Sequence, residues 1–193
     1  MWAGVRSQAV FVSDLRHFLD LPEDVPGPAR RMAEHLTLIV RAATAGVSGF
    51  TWVSALGCNR RPKRVACPGH LAVCRTDIPP SIDWRCTSCD DRGIISGWER
   101  SPFDLRPRSG DQPPVDGVEV VASADVAKTL RSLMLLDTAS ERLVFRAQVV
   151  GDEIVVSGAE DELDELAGYV AAEANHEGDP PSSEAARSRV PGA

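Results

Sequence analysis

The sequence predicts an α+β fold in three parts: N-terminal helices, a central three-stranded β module that carries the cysteines, and a C-terminal βαββα lobe. Three observations lead there. An apolar stripe at helical spacing runs from Met32 to Ala43, cysteines bracket two short alternating segments between Cys58 and Cys89, and a strand, helix, hairpin and helix follow Gly117. The expected divisions are residues 1–56, helical; 57–100, the cysteine module; 101–117, a linker; 118–176, the small lobe; and 177–193, a disordered tail.

Ser13 is a candidate cap for a first short helix, with Leu15, Phe18 and Leu19 on one face and Pro22 as its stop. Gly27-Pro28 then places proline at the first position of a longer helix. Its Met32, Leu36, Ile39, Val40 and Ala43 recur at i, i+4, i+7, i+8 and i+11 until Gly46, and such a stripe is core. His17 and His35 lie on or near these helices. An isolated histidine there is usually a packing or surface residue, so neither is assigned chemistry.

A chain of 193 residues with 43% hydrophobic and 25% charged residues buries a real core. No apolar run approaches the roughly 18 to 20 residues needed to cross a bilayer, and the first residues lack a signal peptide's charged-then-apolar order. The expectation is a cytoplasmic protein with no membrane partner. In that reducing setting, closely spaced cysteines read as metal ligands rather than disulfides, and five cysteines cannot all pair in any case. Lys63 and Lys128 are the only lysines among many arginines, which points to a GC-rich bacterial genome. Charge is segregated. Residues 1–57 are neutral, residues 58–108 carry net +4, and residues 109–193 carry net -11.

Cys86 and Cys89 form a C-x2-C pair, the spacing at which one tight turn points two sulfurs at the same metal. Cys58 and Cys67 are farther apart, but loop-closure cost grows slowly with length, so a loop that returns on itself still brings them together. Gly69 and Gly93 are expected to supply positive-φ freedom for the turns. Between the pairs, LAVCR and SIDWR read as two strands joined by Thr76–Pro80, and Ile94–Glu99 as a third.

Over Gly57–Glu99 this arrangement resembles a zinc ribbon, with two cysteine turns, the second at the end of a hairpin strand, and a further strand after it. The resemblance implies one structural Zn2+ per chain, bound tetrahedrally by Cys58, Cys67, Cys86 and Cys89. Cys74 alternates with Leu71 and Val73 as a small hydrophobe, and either it or His70 is an alternative to Cys58 as ligand. A short segment rich in Arg, Pro and Gly and poor in aliphatic residues needs such a staple to stay folded.

Beyond the linker, Val118–Ala122 reads as a strand and Ser123 caps a helix with Val126, Leu130, Leu133 and Met134 on one face. Leu143–Val150 and Glu153–Ser157 read as a hairpin, with Gly151-Asp152 suited to a type II′ turn. A last helix from about Ala159 to Asn175 puts Leu163, Leu166, Ala167, Val170 and Ala174 on one side and begins with Glu160, Asp161 and Glu162.

No catalytic constellation is present. A catalytic zinc keeps an open position beside a general acid or base, whereas four thiolates close the shell, and the H-x-E of zinc deaminases is missing. The sequence therefore reads as a non-enzymatic, regulatory or nucleic-acid-associated factor. Arg60, Arg61, Lys63 and Arg64 are its candidate phosphate contacts, and Trp84 and Trp98 its candidate stacking residues. The alternative is a protein-protein adaptor, of a regulator or antitoxin-like kind, in which the zinc is purely structural and the acidic lobe binds a partner protein. Asp90, Asp91, Glu99 and Asp104 cluster in sequence, but acids in turns usually serve backbone hydrogen bonds and solubility.

Overall fold

A computed structural model describes residues 10–22, 24–106, 117–133 and 136–177. In chain order it contains β1 (Phe11–Asp14), a 3-10 turn over Leu15–Phe18, α1 (Gly27–Ala45), β2 (Thr51–Gly57), β3 (His70–Asp77), β4 (Pro80–Cys86) and β5 (Arg92–Ser96). There follow β6 (Val118–Ala122), α2 (Ala124–Leu130), α3 (Thr138–Phe145), β7 (Gln148–Val150), β8 (Glu153–Gly158) and α4 (Glu160–Glu177). The α+β class is as expected, but the strands form one mixed eight-stranded sheet in the order β1-β5-β4-β3-β2-β7-β8-β6.

α1 forms where the stripe predicts, with Leu36, Ile39, Val40 and Ala43 all buried and Met32 packed at the margin. Its apolar side lies on β3, β4 and β5, against Leu71, Val73, Ile82, Trp84 and Ile95. A second cluster joins Ala127, Leu130, Leu143, Val144, Ile154, Val156 and Leu166. β2 belongs to both: Leu56 enters the first cluster and Ala55 the second. The strand also joins the two ends of the sheet, because Ser54 pairs with Gln148 and the Ala55 amide donates to the Ala147 carbonyl at 3.1 Å.

Several elements differ from the sequence reading. Phe11–Asp14 is a strand parallel to β5, not the start of a helix, and the cap of the short 3-10 turn is Asp14, whose carboxylate accepts from the Arg16 amide at 3.0 Å. β2 begins inside the N-terminal region assigned to helices, residues 1–56, and runs one residue beyond it. Leu143–Phe145 are the end of α3 rather than strand, because Asp137 caps that helix by accepting from the Ser140 amide at 2.8 Å and the three side chains turn into the core. The C-terminal order is thus βααββα. On α2 it is Ala127 and Leu130 that are buried, while Val126 stands exposed, and Met134 lies outside the described residues. α4 docks through Leu163 and Leu166, whereas Ala167 and Val170 face outward. Gly151 has φ +64°, as the first central position of the expected turn requires.

Within the expected linker, residues 101–106 pack against the body and residues 107–116 lie outside the described residues, as do residues 178–193 of the expected tail. Leu105 is buried, its amide donates to Thr44 Oγ1 at 3.0 Å, and its carbonyl accepts from Arg142 Nε at 2.9 Å. One residue therefore ties α1 to α3. Thr44 in turn donates to the Val40 carbonyl at 2.7 Å and is wholly buried. Thr44→Val keeps the shape but strands the Leu105 amide in the interior, so the expected loss is about 1 to 3 kcal/mol of unfolding free energy in chemical denaturation. Ile78→Ala, at a side chain 91% exposed, should stay within about 0.5 kcal/mol of the parent in the same titration.

Candidate metal centre

β2 ends at Gly57, which pairs with His70, and the Cys58 amide donates to the Gly69 carbonyl at 2.8 Å just beyond. Cys67 closes the loop that leaves Cys58, its amide donating to the Arg60 carbonyl at 2.9 Å. Cys86 ends β4 directly opposite Leu71. The Thr87 amide donates to the His70 carbonyl at 2.9 Å, and the His70 amide returns a bond to Thr87 Oγ1 at 3.0 Å. Start of β3 and end of β4 are therefore locked together, and both cysteine turns sit on that corner.

The consequence is a cluster. The four Sγ atoms of Cys58, Cys67, Cys86 and Cys89 all lie within 4.8 Å of one another, with Cys58–Cys89 at 3.7 Å and Cys67–Cys86 at 3.6 Å. Tetrahedral coordination at the usual metal–sulfur length near 2.3 Å puts sulfurs about 3.8 Å apart, so the donor set fits one ion. Three of the four cysteines are buried and Cys89 is half-buried. Burial pushes the Cys58 and Cys89 thiols up. At Cys86 the same push is outweighed by the amides of Ser88 and Cys89, of which Ser88 lies 3.3 Å from the sulfur, and its pKa falls. A cation among them would supply the charge that four thiolates in so small a volume require. The structure brings together the four expected ligands, and neither Cys74 nor His70 belongs to the cluster.

Gly69 and Gly93 matter for space, not for positive φ, which neither adopts. A Cβ on Gly69 would stand 2.5 Å from Cys86 Sγ, and one on Gly93 2.5 Å from the Phe11 carbonyl oxygen. The first glycine admits a ligand sulfur, and the second admits β1.

Arg60, Arg61, Lys63 and Arg64 are all exposed on the loop between the first two ligands. Lys63 and Arg64 adopt left-handed backbone, φ +53° and +67°, and the Arg64 amide closes a turn on the Arg61 carbonyl at 3.0 Å. Sequence reasoning missed two supports of this loop. Asp91 accepts from the Cys86 amide through its carbonyl at 2.8 Å while its carboxylate faces Arg60 Nε at 3.5 Å, linking the two cysteine turns. His35 of α1 meets Asn59, Nδ1 to Nδ2 at 2.9 Å, and stands edge-on to Trp84. Burial lowers the His35 pKa, so the ring there is neutral at pH 7. No local pattern links residues so distant in sequence. Trp84 and Trp98, 5% and 0% exposed, are core residues and offer no ring to a base. Beside the cluster runs a groove of about 1050 Å3 whose wall includes Arg31, His35, Cys58, Arg60, Arg61 and Arg92.

No family model, no curated protein and no solved structure matches this chain. The fold and the four-cysteine site therefore define it as an α+β protein with a candidate metal centre.

Elemental analysis of the purified protein should find close to one metal ion per chain. Cys86→Ser or Cys89→Ser should lose it, since a hard serine oxygen replaces a soft thiolate poorly, while Cys74→Ser should keep it. Metal retained in full by Cys86→Ser is the contrary result. Gly69→Ala should weaken retention against a competing chelator, and retention should fall on acidification as protons compete for the sulfurs.

Proposed function

We propose that this chain is a non-enzymatic, nucleic-acid-associated or regulatory protein, stabilised by one structural Zn2+ on Cys58, Cys67, Cys86 and Cys89. The observation that carries the reading is the position of the basic loop: both its ends run into cysteines of one buried cluster, while all four of its charged side chains face solvent. A metal that fixes the loop's ends lowers the entropy lost when like charges are held together for a ligand, and arginines so held are suited to phosphate oxygens. Arg31 and Arg92 line the same groove as Arg60 and Arg61, and Phe11, 41% exposed, adds an aromatic ring to its wall. Phe11 takes the stacking role in place of the buried tryptophans. Zinc is preferred because four thiolates in tetrahedral array are a typical closed structural zinc shell, and a closed shell leaves no position for substrate. An iron centre on the same sulfurs absorbs visible light, whereas the zinc protein is colourless. A reducing cytoplasm is the setting such thiolates require.

The acidic C-terminal segment supports a second reading, in which the chain is an adaptor for another protein and binds no nucleic acid. Replacing Arg60, Arg61, Lys63 and Arg64 together with alanine separates the two. On the first reading, metal content and folding persist while affinity for nucleic acid drops. The slope of log affinity against log salt then falls by about 0.7 to 0.9 for each phosphate that the altered loop no longer neutralises. Absence of measurable binding by the unaltered protein to single- or double-stranded nucleic acid near physiological salt overturns that reading in favour of the adaptor.

A further inference from the structure

We propose that the outer edge of β6 is a docking site for an extended, basic segment of a partner protein, which joins the sheet as its next strand. β6 ends the sheet: its inner edge pairs with β8 through all five residues, Val118↔Gly158 to Ala122↔Ile154, without a bulge. Among the described residues no strand pairs its other edge, which leaves a row of amide and carbonyl groups as a template for a further strand. VEVVA contains no proline, no lysine and no bulge, and Glu119 is its one charged side chain. Val118, Val120 and Val121 are 47%, 45% and 59% exposed and occupy both faces of the strand, so an added strand gains apolar contacts on either side.

Charge decides the occupant. The Val118 end lies against Gly158, and Glu160, Asp161 and Glu162 follow at the start of α4. The Ala122 end leads to Asp125 of α2 and lies beside Glu153 through the Ala122↔Ile154 pairing, and Glu119 stands between the two ends. Glu119, Asp125, Glu153, Glu160 and Asp161 enter no ion pair among the described residues. A second copy is a poor occupant. Antiparallel self-pairing centred on Val120 sets the Glu160–Glu162 end of one copy against Asp125 and Glu153 of the other, carboxylate against carboxylate. A strand with an apolar middle and Lys or Arg at its ends meets opposite charge at both ends and apolar surface between. The inference does not depend on the metal or on nucleic acid.

The test uses the full chain and labelled synthetic peptides of about nine residues, with valine and threonine alternating in the centre and lysines at both ends. Glutamate-ended peptides and lysine-ended peptides N-methylated at alternate backbone positions are the controls. Anisotropy should show the lysine-ended peptide binding at least about tenfold more tightly than the glutamate-ended one, and N-methylation should abolish binding. Amide hydrogen exchange over residues 118–122 should slow on adding the peptide. Glu119→Lys combined with Val121→Lys should remove the preference with metal content unchanged. Equal binding of both peptides, no binding of the lysine-ended one, or protection confined to other segments overturns the proposal. So does protection, without peptide, of those β6 amides that do not bond to β8. If that protection is independent of protein concentration, another part of the chain covers the edge; if it grows with concentration, a second copy does.

Discussion

Four cysteine sulfurs held within 4.8 Å of one another are the constraint around which this corner of the molecule is arranged. Sulfurs so close cannot all carry charge unless a cation shares the space, and they cannot approach at all unless the backbone leaves room. Gly69 provides that room, because any side chain there would meet Cys86 Sγ. The end of β2, the start of β3 and the end of β4 then have to coincide, and three backbone bonds among Cys58, Gly69, His70, Thr87, Cys86 and Asp91 hold them in place. The loop from Asn59 to Ala66 takes its shape from its two ends rather than from a core of its own, since none of its side chains is buried.

The cluster is coupled to the rest of the fold through α1. His35 reaches Asn59 on one side and the edge of Trp84 on the other, so the helix that covers the sheet also braces the loop. Farther along the same helix, Thr44 receives the Leu105 amide, and Leu105 passes a bond on to Arg142 of α3. Arg75, buried beneath the end of α1, donates to the Thr44 carbonyl at 2.9 Å and pairs with Asp77, while Arg106 lies over the Trp98 ring. Buried arginine is costly unless its donors find acceptors, and here the C-terminal end of α1 supplies free carbonyls. These contacts make the segment after Trp98 part of the body. β2, shared by both hydrophobic clusters, carries the continuity into the C-terminal elements.

Charge follows the same geography. Basic side chains gather on the loop between the first two cysteines and the groove beside it, and carboxylates gather on α4 and at the two ends of β6. Glu34, Asp90 and Asp91 also line the groove, so the difference between the two regions is one of excess charge rather than of a single sign in each.

How much of this was readable in the chain alone follows from how local each cause is. The α1 stripe, the hairpin of β3 and β4, strand β6 and the capped start of α2 depend on periodicity and caps within a few residues, and they were legible. The four ligands were legible because thiolate spacing is itself the chemical signal, although only the fold excluded Cys74 and His70. Pairing across long separations was not legible. β1 is a strand because Gly93, without a side chain, lets Phe11 approach β5, and Leu143–Phe145, an apolar run that reads as strand, is helix because Asp137 caps it and the core receives it. The tryptophans illustrate the same limit: sequence placed Trp84 and Trp98 near the basic loop, and only the packing of α1 against the sheet turned them inward, leaving Phe11 exposed instead. The sequence by itself determined the helix stripe and the Cys86–Cys89 pair, because both are set by neighbours along the chain. Tertiary structure alone decided which side chains reach solvent and which strand edge stays open among the described residues, because both depend on contacts between residues far apart in sequence.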